Sequence, residues 1–213
     1  MLQRKRPSQR AANVAYYWRN RDIEIARVRL RQAGTVHMLR QLRNVPCADC
    51  GGRFEPHQMD FDHRDPSTKA FNLMTGRAML MSQRKLLAEV AKCDIVCACC
   101  HRVRTRDANA RELRRSTGYS GRLRMSRQWQ SDAELLDEAR RRPCVDCGGS
   151  FPPCAMDFDH RDPATKCHTV TRMRGRAKRA DILAEIAKCD IVCANCHRLR
   201  TFNRGEARFA KRE

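Results

Sequence analysis

The chain has 213 residues, and 44 lysines and arginines against 24 acidic residues give it a formal net charge of +20. So large a positive charge indicates a polyanionic partner, above all nucleic acid. It argues against a scaffold protein that has no such partner. Biased codon usage is an alternative explanation for the many arginines. No apolar stretch approaches transmembrane length, and none follows the basic start as in a secretory signal. We therefore expect an intracellular, cytoplasmic protein that binds nucleic acid and no membrane.

Residues 1–45 are predicted to form a basic N-terminal helical region. A helical pattern over residues 9–32 places Val14 and Trp18 near one face of the helix. Gly34 is expected to end this helix, and Thr35 is expected to cap a second, short helix. The first eight residues have the composition of a disordered basic arm.

Residues 46–115 are predicted to form the first of two similar modules. The run Met59–Asp62 alternates between apolar and acidic residues, as a half-buried strand does. A helix is expected over residues 82–92, followed by a short strand at Asp94–Cys97 that pairs antiparallel with the first strand. A final helix should then run to residue 115. The inward-facing side chains of the earlier helix are expected to be Leu86, Leu87 and Val90.

Residues 116–131 are predicted to be a linker, because glycine and serine are followed there by a basic run. Residues 132–213 are predicted to form the second module, with a leading helix and a basic tail. Ser131 and Glu134 have the spacing of a capping box for that leading helix. The expected fold class is therefore α+β, with two small modules joined by helices and a basic linker.

Eight of the thirteen cysteines fall into four C-x-x-C pairs, which is the spacing of zinc ligands. The core of each repeat spans about sixty residues, too few to bury a large apolar core, and a structural metal commonly stabilises domains of that size. Four thiolates leave no open coordination position, so we predict two structural zinc ions per chain. One set is Cys47, Cys50, Cys97 and Cys100, and the other is Cys144, Cys147, Cys193 and Cys196.

An aspartate and a histidine end the central strand of each repeat, and a later histidine directly follows the last cysteine of each set. The metal should hold the start of the final helix beside the strands and so bring the aspartate and the later histidine together. One carboxylate and one imidazole suit a hydrated divalent ion. The earlier histidine, with an ordinary pKa of about 6.5, then suits a general base that deprotonates water. These residues are Asp62, His63 and His101 in the first repeat and Asp159, His160 and His197 in the second.

The motifs D-F-D-H and C-A-N-C-H-R resemble those of HNH endonucleases of the ββα-metal type, in the four-cysteine branch that includes phage proteins. The resemblance covers residues 46–106 and 143–202, so the chain is similar to a tandem enzyme of this family. It implies hydrolysis of DNA phosphodiester bonds with a divalent metal, usually Mg²⁺, leaving 5′-phosphate and 3′-hydroxyl ends. It implies His160 and His63 as general bases, and Asp159 with His197 and Asp62 with His101 as ligands of the catalytic metal.

Four basic residues near these motifs are candidates for contacts with DNA phosphates, although solvated surface positions would explain them equally well. Asp60 and Asp157 are expected to accept hydrogen bonds, with a metal-ligand role also open. The alternative function is a tandem zinc-finger protein that binds nucleic acid without cutting it. The repeated Asp-His and later His favour the nuclease, because a binding protein does not need them. The basic candidates are Arg102, Arg198, Lys69 and Lys166.

Asn195 lies between the last two cysteines of the second repeat as an accessory position of the motif, and the first repeat has Cys99 in its place. Asn and Asp tolerate a left-handed backbone better than other residues with side chains. If the turn needs that backbone, Cys99 should be strained and should compete with Cys100 for zinc. We therefore expect the second repeat to be the more active of the two.

Overall fold

The structure is a computed structural model that describes residues 8–76, 78–115 and 127–205. The basic arm expected over residues 1–8 lies outside these ranges except for Ser8, as do most of the linker and the tail after residue 205. Helices and two small sheets together confirm the α+β class. The helices are α1 (Gln9–Arg19), α2 (Arg21–Leu42), α3 (Gln83–Val90), α4 (Ala98–Arg115), α5 (Arg127–Ala139), α6 (Val170–Met173), α7 (Arg179–Ile186) and α8 (Ala194–Asn203). The strands are β1 (Met59–His63), β2 (Cys93–Cys97), β3 (Met156–His160) and β4 (Cys189–Cys193).

Each repeat contains one two-stranded sheet, β1 with β2 in the first and β3 with β4 in the second. β3 and β4 pair antiparallel, with Met156 opposite Cys193 and His160 opposite Cys189. Because successive residues of a strand point to opposite faces, Asp157 and Asp159 share one face of β3. Helix α8 follows β4 directly and packs against this sheet. Its His197 contacts Asp157, so the helix lies on the acidic face.

The described chain divides into two compact units that do not follow the repeats. The first unit contains residues 8–42 and 63–93, and the second contains residues 43–62 and 94–205, apart from the undescribed positions. Both sets of cysteines and both final helices belong to the second unit. That unit therefore combines the metal-binding parts of the two repeats.

Both repeats contribute to one of the two apolar cores of the second unit, and the other core is formed by the second repeat alone. Met59 and Val96 of the first repeat are buried in the shared core with Met156 and Val192 of the second. Polar contacts also join the repeats, since the Gln58 amide donates to the Asn195 carbonyl oxygen at 2.9 Å. The repeats are thus packed together through the strands that carry the cysteines, rather than held as separate domains.

The first unit is built on α2, which packs against the short 3-10 turn Ala78–Leu80. The expected helix break at Gly34 and Thr35 is wrong, because α2 runs through both residues and buries Thr35 and Leu39. A glycine inside a helix costs only about 1 kcal/mol, which this packing can offset. The break occurs instead at Asn20, whose backbone N–H bonds to the Tyr16 and Tyr17 carbonyl oxygens.

Helix α3 confirms the expected helix near residue 82, and Ser82 caps it by accepting from the Lys85 N–H at 3.4 Å. Its inward face differs from the expected one. Leu86 is buried as expected, but Leu87 is 40 % exposed, whereas Glu89 is 2 % exposed. An acidic residue therefore occupies the inward face of this helix.

The leading helix of the second repeat also begins earlier than expected. Helix α5 already includes Ser131, so the capping box predicted from Ser131 and Glu134 is wrong. The next residue, Asp132, is instead buried and accepts a hydrogen bond from the Gly175 N–H at 2.8 Å. Within the described ranges, no helix combines the length and the apolar character needed to cross a membrane.

Candidate metal centres and histidine sites

The eight cysteines predicted as metal ligands form two clusters of four in the second unit. In each cluster the sulfur atoms all lie within 4.8 Å of one another. Four thiolates at that separation fit a tetrahedral zinc ion with metal–sulfur bonds of about 2.3 Å. Each cluster could therefore hold one metal ion, and the donor set fits zinc.

Backbone N–H groups donate hydrogen bonds to cysteine sulfur atoms in both clusters. The Cys97 N–H donates to Cys47 Sγ at 3.2 Å, and the Cys193 N–H donates to Cys144 Sγ at the same distance. Burial by itself raises the pKa of Cys47, but the N–H groups of Cys50 and Cys97 outweigh burial and lower that pKa to about 7. Because the thiolate is the form that binds metal, these N–H groups favour the metal-binding form of Cys47, whereas burial raises the pKa of Cys100 in the same cluster.

Cys99 lies outside the four-cysteine cluster of its own repeat. Its thiol donates instead to the Ala155 carbonyl oxygen of the second repeat at 4.0 Å, and the neighbouring Cys99 helps to lower the pKa of Cys193 to about 5. The expected backbone strain at Cys99 is wrong, because only glycines have a positive φ in the described part of the chain. In each repeat, the glycine that directly follows the first C-x-x-C pair has a left-handed backbone. This glycine is Gly51 or Gly148, each at φ +69°.

In the second repeat, His197 lies between two aspartates of β3. Its Nδ1 is 2.7 Å from Asp157 Oδ2, and its Nε2 is 3.6 Å from Asp159 Oδ1. A carboxylate that binds one imidazole nitrogen fixes the ring and directs the other nitrogen outward, as in many metal sites. Asp157 is thus a hydrogen-bond acceptor, as expected, and the predicted pair of Asp159 and His197 is brought together. His160 and Lys166 line the same cleft as this pair.

A buried glutamate that the sequence analysis missed holds His160. Glu185 Oε1 lies 2.8 Å from His160 Nε2 and also accepts from the backbone N–H groups of Cys167 and His168. Burial by itself raises the pKa of Glu185, but hydrogen bonds, first from Lys188, lower it to about 2. The ionised carboxylate therefore fixes the imidazole through Nε2, and Nδ1 is the ring nitrogen that Glu185 does not contact. Both repeats carry the string A-E-x-A-K-C, which was the available signal for this residue.

The first repeat contains the same pairs. In the first unit, His63 Nε2 lies 2.8 Å from Glu89 Oε1. In the second unit, His101 Nδ1 lies 2.8 Å from Asp60 Oδ2, and His101 Nε2 lies 3.5 Å from Asp62 Oδ1.

Asp60 is ionised and stabilises the protonated form of His101. The hydrogen bond to Asp60 raises the pKa of His101 although burial opposes this. Burial by itself raises the pKa of Asp60, but His101 and Arg198 outweigh burial and lower that pKa to about 2.

Arginines of the final helices donate hydrogen bonds to the aspartates that are predicted to bind metal. Arg104 donates to Asp62 at 3.1 Å, and Arg200 donates to Asp159 at 2.9 Å. The second repeat adds Arg204, which contacts both oxygens of Asp159 at 2.9 and 3.0 Å. The corresponding position of the first repeat is Ala108. The repeats therefore differ at this carboxylate, whose side chain is 6 % exposed for Asp159 and 22 % for Asp62.

The remaining predicted residues have varied surroundings. Lys69 is exposed in the first unit. Asn195 is buried, and its Oδ1 accepts from the Cys99 N–H at 3.2 Å. Arg102 and Arg198 are about one-third exposed, and each donates to an aspartate of the other repeat. Their contacts with DNA phosphates stay a prediction.

Among the described residues, the two cysteine clusters are the only groups of three or more potential ligands close enough to share an ion. Each Asp–His pair therefore brings together two potential ligand side chains, one fewer than such a group needs. Comparison of the chain with protein-family models, with curated proteins and with solved structures gave no match.

Proposed function

We propose that this protein is a metal-dependent endonuclease of the HNH type that hydrolyses DNA phosphodiester bonds, with a structural zinc ion in each repeat. The observation that carries the proposal is the cleft of the second repeat. There, Asp159 and His197 face each other, while His160 lines the same cleft and is held by a buried glutamate.

The Asp–His pairs are compatible with a hydrated divalent ion such as Mg²⁺. Two ligands bound at right angles at about 2.1 Å lie about 3.0 Å apart. The observed 3.5 Å in the first repeat and 3.6 Å in the second are close to this separation. When bound, such an ion would offset negative charge on the phosphate oxygens and on the leaving 3′-oxygen. Water and phosphate would complete its coordination.

His160 is suited to take a proton from the attacking water. With Nε2–H donating to Glu185, the lone pair of a neutral imidazole is on Nδ1. The carboxylate then stabilises the imidazolium that forms when Nδ1 accepts the proton. A general base of this kind contributes about 10²–10⁴-fold to the rate. His63 and Glu89 have the same relation in the first repeat.

DNA is the proposed substrate because the chain carries a net charge of +20 and the reacting groups suit a phosphodiester. Lys166 lines the cleft and is available to bind a phosphate oxygen. The cysteine-bound zinc ions have no open position, so their proposed role is to hold β4 and α8 in place, and with them His197.

One observation favours the alternative, a protein that binds nucleic acid without cutting it. Asp159 accepts from both Arg200 and Arg204, and an arginine-paired carboxylate is a weaker metal ligand than a solvated one. The two functions make different predictions for the same reaction. A binding protein retains DNA but leaves it intact with every divalent ion.

The test is incubation of zinc-loaded protein with supercoiled plasmid, with Mg²⁺, with Mn²⁺ and with no added divalent ion. We expect nicked and then linear DNA only with the added ion. We also expect DNA ligase to reseal the nicks, because it requires the 5′-phosphate and 3′-hydroxyl ends that this chemistry leaves. Intact plasmid with both ions, despite DNA binding, would support the alternative.

A further inference from the structure

Two arginines cross between the repeats within the second unit. Arg198 of the second repeat donates to both carboxylate oxygens of Asp60 in the first repeat, at 2.9 and 2.7 Å. Arg102 of the first repeat donates to Asp157 Oδ1 in the second repeat at 2.7 Å. The two contacts are reciprocal, and each one reaches a residue of the opposite sheet.

Each of these aspartates is also the residue that holds the later histidine of its own repeat. Asp60 lies 2.8 Å from His101 Nδ1, and Asp157 lies 2.7 Å from His197 Nδ1. An aspartate side chain can rotate about its terminal bond, but a guanidinium bound to it restricts that rotation. The arginine of one repeat therefore restricts the carboxylate that orients the imidazole of the other.

The arrangement follows from two adjacent residues near the start of each final helix. In the second repeat, His197 contacts the aspartates of its own β3, while the next residue, Arg198, contacts Asp60 in β1. Neighbouring helix positions point about 100° apart, so one turn of α8 can serve both sheets. The core shared by the repeats holds the two sheets near enough for this.

We propose that Arg198 and Arg102 are positioning residues that act across the repeats: Arg198 orients the site of the first repeat, and Arg102 orients the site of the second. This inference rests on the proposed function for its effect on catalysis, but the positioning itself is a property of the protein alone. Neither repeat then has a complete site without the other, which gives the tandem arrangement a chemical role.

Imidazole ¹⁵N NMR of the zinc-loaded protein tests the positioning without any reaction. We expect Arg198→Ala to shift the ring signals of His101 more than those of His197, and Arg102→Ala to do the reverse. Arg106→Ala is the control, because it removes a charge from α4 whose partner is the neighbouring Asp107. It should shift neither ring.

Plasmid nicking tests the effect on catalysis. His160→Ala leaves the first site as the active one, and His63→Ala leaves the second. We expect Arg198→Ala to lower the nicking rate of the first site at least tenfold more than that of the second site, because Arg198 contacts Asp60 of the first repeat. If Arg198 instead binds phosphate for its own repeat, the larger loss will be in the second site.

Lysine replacements provide the conservative variants, which also serve if an alanine variant fails to retain two zinc ions. One ammonium can restore the single contact of Arg102 but not the paired contact of Arg198. We therefore expect Arg102→Lys to recover more activity than Arg198→Lys. Ring signals that respond only within the mutated repeat would overturn the proposal while leaving the endonuclease function intact. If the NMR shifts are as expected but the protein does not cut DNA, only the proposed function is overturned.

Discussion

Loss of one zinc ion should destabilise both repeats, because the two cysteine clusters border a single core. Cys50 and Cys147 are the variants of choice, since both are exposed cluster members whose replacement by serine removes little packing. If the repeats were separate domains, each variant would lose one zinc and unfold one repeat. With a shared core, we expect each variant to weaken both sites.

The size of the effect follows from the core and from the strength of zinc binding. Six of the thirteen buried core residues come from the first repeat and seven from the second. A structural zinc site contributes about 10–16 kcal/mol of apparent binding energy, whereas a folded domain is stable by only about 5–15 kcal/mol. Loss of one ion therefore removes about as much free energy as the free energy of unfolding of a whole folded domain. The second site should then release its zinc too.

The assay measures zinc content by elemental analysis and helix content by circular dichroism in reducing buffer. We expect two zinc ions for the wild-type chain and well below one for Cys50→Ser or Cys147→Ser, with one unfolding transition. Cys167→Ser is the control, because this exposed cysteine belongs to neither cluster and should leave both ions bound. One retained zinc with a native-like remaining repeat would refute the coupling.

Three further outcomes follow from the histidine sites. Glu185→Gln should lower nicking by the second site more than tenfold, because a neutral amide stabilises the His160 imidazolium poorly; an unchanged rate in a His63→Ala background would contradict this. Arg204→Ala should tighten Mn²⁺ binding at Asp159 severalfold in calorimetry, since two hydrogen bonds no longer compete for that carboxylate; equal or weaker binding would count against competition. Asp60→Asn should lower the pKa of the His101 ring from its raised value, since burial then acts without the hydrogen bond to that carboxylate. In wild type, the stabilising effect of this ion pair is lost as pH rises through that raised pKa, and an NMR titration of Asp60→Asn with an unchanged pKa would exclude the pairing.

The sequence was sufficient to predict the parts of the fold that depend on local pattern. The strands at Met59 and Met156 alternate in polarity, and the paired cysteines have spacing that only a cluster explains well. Repetition strengthened both signals. The Asp159–His197 pairing could also be predicted, because the metal-binding cysteines fix where the final helix begins beside the strand.

The parts that could not be predicted depend on contacts between distant residues. Glu89 and Glu185 are buried because histidine, lysine and backbone N–H groups satisfy them, and no local pattern reveals such partners. The pairing of Arg102 and Arg198 with aspartates could not be predicted either, because it depends on how the two repeats pack. Gly34 does not end its helix, because packing of Leu39 outweighs a weak local preference.

The central claim is that this chain itself hydrolyses DNA through its two histidine bases. The most direct measurement compares zinc-loaded wild type with a His63→Ala/His160→Ala variant on supercoiled plasmid in Mg²⁺, after both proteins are shown to hold two zinc ions. We predict that the variant binds the plasmid with similar affinity but nicks it at least about 100-fold more slowly. Equal nicking rates, or no cutting by wild type under these conditions, would contradict the claim.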